Sequence, residues 1–250
     1  MNNRSSQKHY ELSIPVVFAN KKNFVFRNKI YPFDFDIFKQ NSNFFFKNQD
    51  KYKNVENIEL LNESEISKFH NLSEKAVQDF ISLSTNETCQ IDNSSIFYIQ
   101  YLSVKYQVTN LTQIITNLIN HQKEELVFDY FKFKVEQKGR NDDLLLFSEE
   151  INIISDNLDK YISDERIFIF PVNFLYQIFI QFFSKGNFES LKYNEKCQII
   201  NFLFKCLDII GRDASILFTI CDFGKQRIPV IEKLLNEYPT IFDFNLFSEN

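Results

Sequence analysis

Leu111-Thr112-Gln113-Ile114-Ile115-Thr116-Asn117-Leu118-Ile119 is the stretch on which the reading of this chain turns. Its apolar residues occupy the i, i+3, i+4, i+7 and i+8 positions of a helix and predict one apolar stripe that needs a partner face. Upstream, Ser73 is placed to cap a helix whose Ala76, Val77, Phe80 and Ile81 share a face. Between these two, residues 92–95 lead into Ile96 to Tyr106. There Ile96, Ile99 and Leu102 take one side while Phe97, Tyr101 and Val104 take the other, so burial on both sides is expected. Three helices in succession therefore define the middle of the chain, and replacing Phe80 or Leu102 by Asp is expected to unfold it.

Towards the N-terminus the pattern becomes extended. Val16-Val17-Phe18, a polar break at Asn20-Lys21-Lys22-Asn23, and then Phe24-Val25-Phe26 and Lys29-Ile30-Tyr31 read as hairpin strands. Phe35, Phe38 and Phe45 fall near helical spacing, Asn57 to Leu61 reads as another short strand, and the polar run Asn62 to Lys68 closes it. Towards the C-terminus, the polar residues 120–125 mark a boundary beyond which strand signals vanish. Leu126, Val127, Tyr130 and Phe131 form one helical face. After Gly139-Arg140-Asn141, the three-four spacing of Leu144, Phe147, Ile151, Ile154 and Leu158 predicts a single bundle helix. Pro171 suits the first turn of the next helix. Ile199, Phe202, Leu203, Cys206, Leu207 and Ile210 mark another, and Leu217, Phe218, Ile231, Leu234 and Leu235 a last helical group. The expected fold class is α+β. Residues 1–22 form an N-terminal tail and first strand, 23–120 a head of short strands and clustered helices, and 121–250 an all-α tail.

Two or three strands, a helix, a strand and three helices in this order resemble the BTB/POZ fold. The residues that carry the resemblance are Ser42-Asn43-Phe44-Phe45, Asn57-Ile58-Glu59-Leu60, the segment Ser73 to Leu83 with Phe80 at its centre, and Ser94 to Tyr106 closing on Lys105-Tyr106-Gln107-Val108. They run from about Asn23 to Ile119. Downstream, Phe170-Pro171-Val172-Asn173-Phe174-Leu175 looks like the L-P-x-x-x-L element of the BACK helical region that often follows BTB, with Asp164-Glu165-Arg166 as linker. A BTB-like head with a helical tail is also similar to a class of protist proteins. The resemblance implies a protein-binding role. The chain departs from the family at Asp34-Phe35, where a His or basic residue is usual. It departs again at Lys47 to Asn54, where Tyr52-Lys53-Asn54 is the nearest approach to the hydrophobic-x-Glu element that contacts cullins.

Composition narrows the chemistry. Four glycines, Gly139, Gly186, Gly211 and Gly224, are too dispersed to build a phosphate-cradling loop. With 33 acidic against 28 basic residues and a net charge of −5, nothing favours nucleic acid. The 30 phenylalanines accompany abundant Asn, Ile and Lys and scarce Gly and Pro, which is what AT-rich codons produce, so they carry no functional weight alone. Residues 1–8 are polar and show no signal peptide, so a cytoplasmic or nuclear location is expected rather than secretion. The apolar run Ile167 to Phe183 is interrupted by Asn173, Gln177 and Gln181 every four residues, which argues against a membrane span. Cys89, Cys197, Cys206 and Cys221 form no CxxC pair and are expected to be reduced.

Catalytic motifs fail on their companions. His9, His70 and His121 sit far apart in an expected tail, loop and linker, with no spacing for a triad or metal site. Asp222-Phe223-Gly224 spells a kinase magnesium motif without a Gly-rich loop or catalytic His-Arg-Asp, so a helix ending at Gly224 is the expectation. The pairs Asp34/Asp36 and Asp142/Asp143 read as helix N-terminal charges. Candidate partner contacts are Tyr52, Lys53 and Asn54 and, on the later helix, Asn173, Gln177 and Gln181, each weighed against simple solvation. The expected function is a non-catalytic protein–protein interaction module, an adaptor or scaffold with no cofactor. The alternatives are a substrate adaptor of a cullin-RING ubiquitin ligase and an undetected hydrolase. Expected partners are proteins, with a cullin scaffold on the adaptor reading, and further copies of the chain; neither nucleic acid nor membrane is expected.

Overall fold

The computed structural model describes residues 20–138, 144–186, 188, 191–221 and 223–242. The strand expected at Val16-Val17-Phe18, the break at 139–141, His9, Asp142, Asp143 and Asp222 lie outside them.

Strands β1 (Lys21–Phe26) and β2 (Lys29–Asp34) form an antiparallel hairpin, and β3 (Asn57–Glu59) joins β1 in parallel, giving the order β2-β1-β3. The hairpin turns on Arg27 and Asn28, with φ of 49° and 63°, the left-handed pair a two-residue hairpin turn demands. Arg27 holds the turn in place by donating to the carbonyls of Phe69 and His70, both at 3.0 Å, and of Leu72 at 3.2 Å. Lys21-Lys22-Asn23, expected as a break, is instead the first half of β1. Lys22 and Asn23 are buried because each finds a polar partner: Lys22 Nζ donates to the Val55 carbonyl at 2.7 Å, and Asn23 Nδ2 to Asn57 Oδ1 at 2.9 Å.

A parallel pair needs a crossover. Here it is made by α1 (Phe35–Asn41), α2 (Asn43–Lys47) and α3 (Gln49–Tyr52). Asp34 caps α1 by accepting from the backbone N–H groups of Asp36 and Ile37, the helix-terminal role expected of this acidic pair. Ser42 breaks the Phe-rich run. Its Oγ accepts from Phe45 N at 3.2 Å and donates to the Tyr106 carbonyl at 2.5 Å, locking the crossover to a distant helix. The polar stretch after β3 is a helix, α4 (Glu63–Lys68), with a reciprocal capping box between Asn62 and Glu65. Then follow α5 (Glu74–Ser84), capped by Ser73 as expected, α6 (Asn93–Lys105), α7 (Thr109–His121) and α8 (Lys123–Lys138).

The head core is aromatic. Phe24 stacks on Phe33 at 4.5 Å between centroids, Phe45 stacks on Tyr106 at 5.5 Å, and Phe38 meets Phe80 edge-on at 5.7 Å. Phe80 and Leu102 are fully buried in it. Two burial expectations fail: Val104 is 58% exposed and Ile114 is 64% exposed. The buried stripe of α7 is the narrower series Leu111, Ile115 and Ile119, and no described element covers its Ile114 flank or the outer side of α6.

The rest of the described chain is helical. The run expected as one bundle helix is three pieces: a 3-10 turn (Leu144–Phe147), α9 (Ser148–Asp156) and α10 (Leu158–Tyr161). Asn157 breaks it by turning its side chain back onto the Ile153 carbonyl at 3.1 Å, yet Phe147, Ile151, Ile154 and Leu158 all remain buried. Pro171 stands at the N-cap of α11 (Val172–Ser184). Next comes α12 (Tyr193–Ile210), which stops at Gly211, whose φ of 82° is a glycine conformation. A 3-10 segment (Arg212–Thr219), a 3-10 turn (Gly224–Gln226) and α13 (Arg227–Glu237) complete the tail. Gly224 therefore opens a 3-10 turn rather than ending a helix. The fold is α+β, with a small three-stranded sheet in a mostly helical chain. No described helix is long and apolar enough to cross a membrane.

Helix α8 belongs to both cores. Leu126 and Phe133 join the head, where Phe133 lies 5.3 Å from Tyr98 and 5.9 Å from Phe69, while Val127, Phe128 and Phe131 join the tail. Phe131 meets Phe170 at 4.5 Å and Phe147 at 4.9 Å. The single face expected on this helix is in fact two adjacent stripes.

Candidate functional site

The segment around Tyr52 is a helical turn. Tyr52 is half-buried, its ring 5.0 Å from Phe45, and the Lys53 carbonyl accepts from Lys22 Nζ at 3.3 Å. The Lys53 and Asn54 side chains face solvent. This crossover abuts the α6–α7 turn, where Gln107 takes a φ of 52°: Asn43 N donates to the Gln107 carbonyl at 3.2 Å and Asn43 Nδ2 to Thr109 Oγ1 at 3.5 Å. Hydrogen bonds from Thr112 to Ser103 (2.9 Å) and from Gln100 to Thr116 (3.0 Å) hold α6 against α7. Together these elements shape a shallow groove of about 460 Å³ with Val104 as its apolar part and Asn43, Gln107, Thr109, Thr112 and Gln113 as polar lining. Phe46, on the outer side of α2, is 60% exposed.

The second candidate group lies on α11. Asn173 is exposed, Gln177 is half-buried, and Gln181 donates to Asn152 of α9, so the last of these already has a partner within the chain. Tyr52 packs on the head core and α11 belongs to the tail core, so the six residues divide into two separate places.

Three carboxylates, Glu65 half-buried and Glu136 and Glu150 buried, hold elements together. Burial pulls the Glu65 carboxyl upward, but hydrogen bonds from Lys105, Tyr101 and the Asn62 backbone outweigh it and leave Glu65 below its ordinary range. Glu136 on α8 accepts from Tyr98 Oη at 2.6 Å, from Asn71 N at 3.2 Å and from the Asn71 side chain, with His70 Nε2 at 3.3 Å. Glu150 on α9 is fully buried, and burial raises its pKa. Its Oε1 lies 2.7 Å from Lys134 Nζ, an ionic contact whose alignment leaves both carboxylate oxygens without a well-formed hydrogen bond. These groups sit at helix–helix joints. His121 Nδ1 contacts the Asn117 carbonyl of its own helix at 2.6 Å, and His70 is largely exposed. Among the described residues, no group of three or more His, Cys, Asp or Glu side chains is placed to hold a metal.

Sequence reasoning missed a cavity of about 630 Å³ at the C-terminal end of the tail. Phe218, Phe223, Val230, Leu234 and Phe242 contribute apolar wall, and exposed Arg212 and Arg227 stand among its lining residues. Cys221 also lines it, with a thiol that burial pushes up to about 12. The lining comes from short 3-10 segments and one helix, which present no periodic signal.

In comparisons with known proteins the chain matches no family model, and neither curated proteins nor solved structures give a match.

Proposed function

We propose that the chain is a non-catalytic protein-interaction module, with a BTB/POZ-like head extended by a BACK-like helical tail, and that it receives its partner at the groove between the crossover and the α6–α7 hairpin. The observation that carries this reading is the exposure of Val104 within that groove, on a helix whose opposite face is core. An exposed aliphatic side chain, Val104, with a polar surround of Asn43, Gln107, Thr109 and Thr112 matches the apolar-centre, polar-rim anatomy of protein interfaces. The element order, a hairpin, a helical crossover, a parallel third strand and then clustered helices, is the order that the resemblance implies, and supports the head assignment. Quantitative affinity purification should recover partners with the parent chain that are lost with Val104→Asp and retained with Asn173→Asp. Equal recovery by all three refutes the groove.

The cullin-RING adaptor reading draws support from one feature: α2 abuts the α6–α7 turn and Tyr52 of α3 packs on Phe45 of α2, so the Tyr52 segment neighbours those helices. Recovery of cullin and RING subunits that falls with Lys53→Glu favours it, and their absence from the purified set counts against it.

A further inference from the structure

The tail cavity is closed on its inner side by aromatic and aliphatic side chains and carries positive charge at its exposed lining. Its volume of about 630 Å³ falls within the range of about 300–1,000 Å³ typical of small-molecule pockets. Arg212 and Arg227 both line it, both are exposed, and neither makes a hydrogen bond or ion pair with a described residue. Several cations elsewhere in the chain behave differently: Lys29, Lys105, Lys123 and Arg166 each hold a carboxylate at 2.5–2.7 Å. The first turn of α13, which Arg227 opens, holds no acidic residue that would neutralise it. Ser215 and Thr219 add hydroxyl groups to the same lining. Apolar walls with two exposed guanidinium groups are complementary to a molecule with a long apolar body and one anionic end.

We infer that this cavity binds a single-chain fatty carboxylate, with its hydrocarbon against Phe218, Val230 and Leu234 and its carboxylate at Arg212 and Arg227. The site lies wholly in the tail and stands independently of the groove between α6 and α7.

The test uses the full chain and two fluorescent probes, cis-parinaric acid and its methyl ester. Saturable binding of the acid at one molecule per chain is expected, displaced by palmitate. Loss of the charged contact should weaken the ester at least about tenfold, and Arg212→Ala with Arg227→Ala should weaken the acid to a similar extent. Both arginines are exposed and make no ion pair with a described residue, so the double variant is expected to keep the parent's circular dichroism and melting temperature. The acid–ester comparison needs no variant at all. Absence of saturable binding, equal affinity for acid and ester, or unchanged affinity in the double variant overturns the inference.

Discussion

Removing the Glu136 carboxylate tests whether α8 is integral to the head. Its side chain is 3% exposed and gathers Tyr98 Oη at 2.6 Å, Asn71 N at 3.2 Å and the Asn71 side chain, so one residue of α8 ties down both α6 and the segment after α4. Hydrogen bonds to a charged acceptor contribute about 1.5–3 kcal/mol each, and a buried donor left unpaired costs about 1–3 kcal/mol. These terms overlap, and Asn71 is exposed enough to recruit water, so Glu136→Ala is expected to cost about 2–4 kcal/mol in all. For a chain of this size that lowers Tm by roughly 4–16 °C. The specific claim is coupling. In a double-mutant cycle with Tyr98→Phe, urea unfolding followed by far-ultraviolet circular dichroism should give an interaction energy of about 1–2 kcal/mol. His70 is 69% exposed, so His70→Ala should change stability by less than about 1 kcal/mol. A Glu136→Ala variant within about 0.5 kcal/mol of the parent, or a coupling energy near zero, refutes the clamp and makes α8 a tail helix that merely touches the head.

Lys134→Met should destabilise by about 3–5 kcal/mol by stranding the buried Glu150, and Lys134→Met with Glu150→Leu should recover most of that loss; urea midpoints decide it. Burial, reinforced by Glu136 for Tyr98 and Glu65 for Tyr101, holds those phenols and Tyr106 well above the ordinary value near 10, and Tyr161 is pushed up to about 12 by burial and Glu124. A raised folded-state pKa means that the stability is complete below the unfolded-state value and declines as pH rises above about 10. Absorbance at 295 nm should therefore show a fraction of the 11 tyrosines ionising only with cooperative unfolding, and simple titration of all of them near 10 in the folded protein contradicts this. Phe80→Asp and Leu102→Asp each place a charge at a fully buried site and should abolish the thermal transition; a normal melt of either variant sinks the head core as described.

How far the fold was legible depended on whether a residue's environment was local. The Ser73 cap, the Asp34 cap and the stripe of α12 follow from spacing along one helix, and they stand where the pattern puts them. Lys22 and Asn23 did not follow, because what makes them strand residues is the Val55 carbonyl and the Asn57 side chain, more than thirty positions away. The heptad-like run from Leu144 to Leu158 gave the right buried residues and the wrong element, since burial spacing is preserved when a 3-10 turn and two helices lie along one groove. A single side chain, Asn157, was enough to interrupt it. Val104 and Ile114 failed in the opposite sense: periodicity marks a side chain as apolar, but only a neighbouring element decides whether it is covered.

The same distinction explains why the surfaces were harder to read than the core. Tyr52 was singled out as the nearest approach to a cullin-contacting element, yet its ring is pinned by Phe45, and its value to a partner would lie in holding Lys53 and Asn54 outward. Gln181, chosen for its polar spacing, is already engaged by Asn152. What marks a receptive surface is instead mismatch, an exposed aliphatic residue or a cation without a carboxylate. Both kinds are created by the packing of elements distant in sequence. Arg212 and Arg227 are fifteen positions apart by number, on a 3-10 segment and a helix, and both line one cavity. The end of the described tail, where 3-10 segments precede α13, is where apolar wall and exposed positive charge coincide.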